Sequence, residues 1–206
     1  MAFLDKKNLL PTLMGARLEL GCGDRKPLSD AIGIDAIDYD CVDIVGDVYE
    51  VLTQIPNESI LAVHSHHFFE HVRDVELLMD EIARILLPNG LLEIVVPHFS
   101  NPYYYSDYTH RNFFGLYSFS YFSDDSILKR KVPHYKPSVS FELREVSLIF
   151  KSSPPFYGRH GVRRILQTVF NFGRYMKEFY EENCCYLFPC YEIKFSLRKK
   201  PDGRPV

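Results

Sequence analysis

Two groups of residues in this 206-residue chain have types and spacings that could do chemistry. The first is a run of imidazoles. His64, His66, His67 and His71 crowd together around Glu70, and His98 and His110 follow. Imidazole titrates nearest neutral pH, so it is the usual proton acceptor for an oxygen nucleophile. His110, His66 and His98 are the candidates for that role, with His110 placed first and His66 second. His64 falls inside an apolar run and reads as structural, and Glu70 with His71 reads as a pair bracing the start of a helix.

The second group surrounds a glycine turn. Residues 17–20 run into Gly21-Cys22-Gly23, and acids follow at Asp35 and Asp47. Glycines spaced by one residue permit a tight turn at positive φ and let a ligand approach the backbone. Asp35, at the end of the next apolar run, could accept hydrogen bonds from a ribose diol. Asp47 could accept one from an adenine amino group. The competing reading is a structural turn followed by two helix-capping acids. A dinucleotide site would want a third glycine, so that a pyrophosphate can rest on a helix N-terminus. Lys26 holds that position, followed by Pro27. The implied ligand carries an adenosine and no pyrophosphate, which S-adenosylmethionine fits.

The elements that must position these residues follow an α/β rhythm. Strands are expected over residues 17–20, 31–34, 42–45, 60–64 and 91–96, the last apolar on both faces as in a central parallel strand. A short helix is expected over 48–55. Asp74 is a plausible N-cap for a helix to about residue 87, with Val75, Leu78, Met79, Ile82 and Leu86 as its apolar stripe. Pro88-Asn89-Gly90 should turn the chain. Beyond lie a helix from Arg111, a strand over 141–150, one helix over 161–180 and a last strand over 192–197.

Leu18-Glu19-Leu20-Gly21-Cys22-Gly23 resembles the first motif of class I S-adenosylmethionine-dependent methyltransferases. Ile32-Gly33-Ile34-Asp35 is similar to their second, and Asp47 matches the acid that family places beside the adenine. Residues 65–71, the helix after them and the Leu87-Pro88-Asn89-Gly90 turn look like the family's passage from fourth to fifth strand. The resemblance covers about residues 15–98. It implies cofactor contacts at Glu19, Gly21, Cys22, Gly23, Asp35, Ala36, Asp47, Val48, Ser65 and His66. An Asp-x-x-His unit after the fifth strand is matched by Asp107 and His110, which implies that Asp107 orients His110. Residues 24–31 leave little room between the first two strands, since a crossover normally takes about a dozen residues. The first helix should therefore be shortened or replaced by a loop.

The expected fold is a Rossmann-like class I methyltransferase sandwich over residues 1–206. Its sheet should be mostly parallel and seven-stranded, with an antiparallel edge strand and a shortened first helix. The aromatic-dense segment 98–140 would form a lid, and 152–189 a helical insertion. The expected activity is methyl transfer from S-adenosylmethionine to a small molecule, with O-methylation of a sugar or polysaccharide precursor as the leading substrate reading. The alternatives are a non-catalytic S-adenosylmethionine-binding protein and a methyltransferase for another acceptor class. A nucleotide-binding oxidoreductase is disfavoured by the missing third glycine.

Composition narrows the partners. A formal net charge of −3 argues against broad nucleic-acid binding, which needs a basic field. No apolar window is long enough to span a bilayer, and residues 1–11 lack the apolar stretch of a signal peptide, so a cytoplasmic protein is expected. Arg159, Arg163, Arg164, Arg174 and Lys177 read as a solvated helix face, with a dock for an anionic or lipid-linked substrate as the alternative. The five cysteines are odd in number, and adjacent Cys184-Cys185 lacks zinc-ligand spacing, so reduced thiols are expected. A metal site from His66, His67 and a carboxylate is disfavoured because adjacent side chains diverge in an extended chain. No metal is assigned.

Overall fold

The computed structural model describes residues 3–124, 127–135, 140–152 and 156–201. Its elements in chain order are β1 (Leu4–Asp5), β2 (Ala16–Leu20), β3 (Ile32–Asp35), β4 (Ile44–Val45), α1 (Val48–Thr53), β5 (Ile60–His66), α2 (Val75–Ile85), β6 (Leu86–Pro97), β7 (Ser123–Asp124), β8 (Phe141–Ile149), α3 (His160–Asn171), α4 (Arg174–Asn183) and β9 (Glu192–Lys199). The strands form one sheet in the order β1-β4-β3-β2-β5-β6-β9-β8-β7. From β4 through β6 all neighbours are parallel. The chain steps outward from β2 through β3 to β4, then returns to β5 on the other side of β2. That reversal puts a topological switch point between β2 and β5, with the carboxyl ends of the parallel strands on one rim.

The expected seven-stranded, mostly parallel core is present, flanked by two-residue strands β1 and β7. The antiparallel strand β9 sits one place in from the edge of that core, between β6 and β8. Ile193, Phe195 and Leu197 are all fully buried there. Such a strand gains more by sitting between two neighbours than by closing an edge.

No helix forms between β2 and β3; residues 21–31 are a loop. One sheet face is only half buried, and the sequence reflects it. β6 alternates fully buried residues such as Leu92, Ile94 and Val96 with half-buried Leu91, Glu93 and Val95. The expectation of burial on both faces is corrected accordingly. On that half-buried face, His64 of β5 meets Glu93 of β6 at 3.2 Å, and Lys194 of β9 meets the same carboxylate at 2.7 Å.

Three further expectations change. The Pro88-Asn89-Gly90 turn lies within β6 as an irregularity, with Asn89 at φ +66°. The helix expected over 161–180 breaks into α3 and α4 at Phe172 and Gly173; Gly173 is extended, and glycine is a weak helix former. The helix expected from Arg111 is only a 3-10 turn at Ser118–Phe122. α2 forms as its pattern dictates: Asp74 caps it by accepting from the Leu77 amide at 2.9 Å, and Leu78, Met79, Ile82 and Ile85 are buried. Parts of the lid-like segment (125–126, 136–139) and of the helical insertion (153–155) lie outside the described residues.

Candidate active site

The glycine turn leaves the carboxyl end of β2 at the switch point. Gly21 has φ +67° and Gly23 has φ +58°, both in the left-handed region. A Cβ on Gly21 would collide with the Phe68 ring, whereas one on Gly23 would meet nothing within 4 Å. The turn therefore packs on one side and is open on the other. Asp35 fixes its shape. One carboxylate oxygen accepts from the Gly23 amide at 2.8 Å and the other from the Ile37 amide at 2.9 Å.

Other contacts hold the loop that replaces the first helix. Buried Glu19 accepts from the Leu28 amide at 3.3 Å, and burial raises its pKa. Lys26 reaches Asp43 at 2.7 Å, and the Cys41 thiol donates to the Gly23 carbonyl at 3.2 Å. Burial pushes the Cys22 thiol up to about 12, so it stays protonated in the turn. On the next strand end Asp47 caps α1, accepting from the Tyr49 amide at 2.9 Å, with Arg73 at 3.2 Å on its second oxygen. Val48 is half-buried beside it, and Ala36 is exposed.

These residues fit an adenosyl ligand. Space is open beside Gly23, and the apolar Ile37 is 57% exposed two residues past Asp35. The Ser65 hydroxyl at the end of β5 is buried without a hydrogen-bond partner. A buried hydroxyl left unpaired is costly, so a polar ligand group is the natural complement.

The imidazoles divide sharply. His98 is fully buried, one nitrogen 2.8 Å from the Ser100 hydroxyl and the other 3.2 Å from Glu181. It has no lone pair left for a proton from an acceptor, and this removes it as a candidate base. His66 is exposed at the end of β5, and its pKa is lowered, first by burial of the ring and then by neighbouring His67. It is a neutral imidazole at neutral pH. His110 donates from Nδ1 to the Tyr104 carbonyl at 2.8 Å, which leaves Nε2 with the lone pair, 3.6 Å from Asp107. Hydrogen bonds from the Thr109 hydroxyl and amide hold the Asp107 pKa below its ordinary value.

The sequence offers His67 only as a disfavoured metal ligand beside His66. It adopts φ +55°, so the chain is no longer extended there, and its ring stands edge-on to His66 with centroids 4.5 Å apart. The expected divergence of these two histidines does not occur. His67 is clamped between Glu70 at 3.1 Å and Glu192 at 3.0 Å, with Lys151 2.6 Å from Glu192. Burial opposes its charge, but the two carboxylates raise its pKa to about 9. Nothing local announces this cluster, because Glu192 and Lys151 arrive from the far half of the chain.

A cavity of about 440 Å³ lies past the ends of β5 and β6, lined among others by His67, Tyr103, Tyr104, Asp107, His110 and Glu192. A larger one of about 870 Å³ lies against α4, near Glu178 and Glu181. His67 and His110 line the smaller cavity and no histidine lines the larger one, while the glycine turn lines neither. Among the described residues two groupings could hold a cation, His66 with His67 and Glu192, and Glu70 with His71 and His110. All five cysteines are free.

Residues 9–130 match the family model of a methyltransferase domain. No curated protein matches the chain. Among solved structures, an S-adenosylmethionine-dependent methyltransferase of Archaeoglobus fulgidus shares 17% identity, with 94% of this chain and 90% of that one covered at a TM-score of 0.51. A Bacillus halodurans protein shares 14% identity over 91% and 94% of the two chains, with a TM-score of 0.57. The Haloferax volcanii protein solved with the Trm112 methyltransferase activator shares 15% over 96% and 89%, with a TM-score of 0.52. These likenesses establish a shared fold.

Proposed function

The chain belongs to the methyltransferase-domain family and takes S-adenosylmethionine as its methyl donor, and on that premise we propose that it methylates an oxygen of a small polar acceptor, a sugar or polysaccharide precursor foremost. The observation that carries this reading is the cavity past the ends of β5 and β6, where His110 presents a free imidazole nitrogen and exposed His66 stands beside the cavity-lining His67.

Asp35 would hold the ribose, Asp47 and Val48 the adenine, and the Gly21-to-Gly23 turn with Ser65 and His66 the methionine portion. Glu19, Cys22 and Ala36 complete that surface. The donor supplies an electrophilic methyl on a sulfonium. The chain's own work is to orient the acceptor and take its proton. His66 and His110 are the two imidazoles for that proton: the Tyr104 carbonyl orients His110 through Nδ1, and Asp107, 3.6 Å from Nε2, stands ready to accept from that nitrogen once it has taken the proton. Tyr103 lines the same space with a hydroxyl suited to a hydroxylated acceptor, and buried Asn101 braces that wall, donating to the Tyr191 carbonyl and accepting from the Tyr103 amide. Tyr103, Tyr105 and Tyr108 are exposed, and the described residues of the segment 98–140 would form a lid over the cavity. Among the described residues no helix is long and apolar enough to cross a membrane.

The reading is tested by incubating the protein and labelled S-adenosylmethionine with nucleotide sugars, phosphoethanolamine, peptides and RNA. Label in a base-stable sugar ether supports it. Label only on nitrogen, or only on a macromolecule, overturns it.

A further inference from the structure

We propose that Glu70, His71 and His110 bind one divalent transition ion, zinc foremost, beside the acceptor cavity, which His110 lines. The proposal deepens the acceptor-site reading above, yet cation binding can be measured apart from methyl transfer.

The three side chains come from two loops but converge. One ligand atom from each lies within 4.8 Å of the others. Ligand atoms around a tetrahedral zinc lie about 3.3 Å apart. Closure from at most 4.8 Å to about 3.3 Å takes about 1.5 Å or less per pair.

Each group has one atom spoken for and one left over. Glu70 is fully buried; His67 occupies its Oε1 at 3.1 Å, and its Oε2 is buried with no hydrogen-bond partner. A carboxylate oxygen shut away from water and donors is costly, and a cation removes that cost. The Thr109 hydroxyl donates to Asp107 at 2.6 Å, so His71 Nδ1, 2.9 Å from the same hydroxyl, must carry its proton and donate. His110 Nδ1 must likewise donate to the Tyr104 carbonyl. Both rings are thereby locked in the tautomer that leaves Nε2 with a lone pair. Metal-ligating histidines are held in this way, through the second ring nitrogen. Asp107, 3.6 Å from His110 Nε2, adds negative charge beside the site.

The backbone fixes the two loops to each other before any ion arrives. The Arg111 and Asn112 amides donate to the Glu70 carbonyl at 2.7 and 3.2 Å. The Asn112 side chain donates to the carbonyls of Phe69 and Val72 at 3.0 and 2.8 Å. The other grouping, His66 with His67 and Glu192, lacks a free donor at its centre, because both ring nitrogens of His67 are already taken, by Glu70 at 3.1 Å and by Glu192 at 3.0 Å. Two imidazoles and one carboxylate suit zinc or ferrous iron, whereas magnesium prefers oxygen donors. An ion there lowers the pKa of an acceptor hydroxyl that reaches it. With His110 Nε2 engaged, the proton goes to His66.

The test uses chelator-treated protein titrated calorimetrically with zinc and, separately, magnesium. Zinc should bind at one per chain and magnesium far more weakly. His110→Ala and Glu70→Gln should each weaken zinc by about 100-fold or more, and Thr109→Val by about 10-fold. His66→Ala should leave it unchanged. Circular dichroism checks that each variant is folded, and the visible spectrum of the cobalt-substituted protein should change in His110→Ala. Absence of stoichiometric zinc binding, or binding that survives both His110→Ala and Glu70→Gln, overturns the proposal. Titration of the same metal-free protein with S-adenosylmethionine separates the readings: donor binding without zinc binding sinks this proposal alone.

Discussion

The Lys26 ammonium lies 2.7 Å from the Asp43 carboxylate, tying the loop after β2 to the segment that enters β4. Lys7 at 2.6 Å and the Gly33 amide at 3.0 Å complete the shell around the same acid. Here a parallel sheet would ordinarily carry its first crossover helix, and these contacts stand in for it. Desolvation raises the Asp43 pKa, but the hydrogen bonds from Lys26, Lys7 and Gly33 outweigh it and hold it at about 2, against 3.8 for a free aspartate.

An acid limb of stability follows. Because the folded pKa is depressed, the stabilisation is fully present above the unfolded value and is lost as pH falls from 3.8 through about 2. The contribution at neutral pH is about 2 kcal/mol. Thermal melts of wild type and Asp43→Asn across that range should converge at the acid end. Curves that stay parallel would remove the linkage.

Asp35→Ala should weaken S-adenosylmethionine binding by about 1.5–3 kcal/mol, the loss typical of a hydrogen bond to a charged group. Calorimetry checks this on a variant with wild-type circular dichroism. Unchanged affinity would displace the ribose from Asp35.

The two glycines should fail in different ways. Gly21→Ala meets both left-handed backbone and the Phe68 ring, and should lose about 2–4 kcal/mol of stability. Gly23→Ala meets open space, so its stability loss should be smaller while donor affinity falls. Equal stability losses in denaturant titrations would contradict the packing contrast, and unchanged donor affinity in Gly23→Ala would show that the open side of Gly23 is not the ligand side.

His66→Ala should lower kcat by about 100-fold at saturating donor, beyond whatever donor affinity is lost with its contact to the methionine portion. The pKa of His66 is depressed below 6.5, so kcat/KM should fall only as pH drops through that lower value. A profile insensitive to the substitution would take His66 out of the proton path.

The glycine turn and Asp35 were legible in the sequence because they are local: the turn follows directly from a strand, and the acid ends the next one. α2 was equally plain from its cap and stripe. The clamp on His67 was not, since Glu192 stands 125 residues away and reaches it only once β9 has inserted beside β6. The role of His98 was also hidden, because the partner that silences it, Glu181, lies on α4. Pairing of Glu70 and His71 with His110 depends on backbone hydrogen bonds between two loops, which no periodicity records.

The most direct measurement is calorimetric titration of the purified protein with S-adenosylmethionine, S-adenosylhomocysteine and NAD. The account predicts micromolar, one-to-one binding of both adenosyl ligands and none of NAD, since the turn at Gly21 and Gly23 leads into a loop rather than a helix N-terminus that could carry a pyrophosphate. Tight NAD binding, or no binding of either adenosyl ligand, would contradict it.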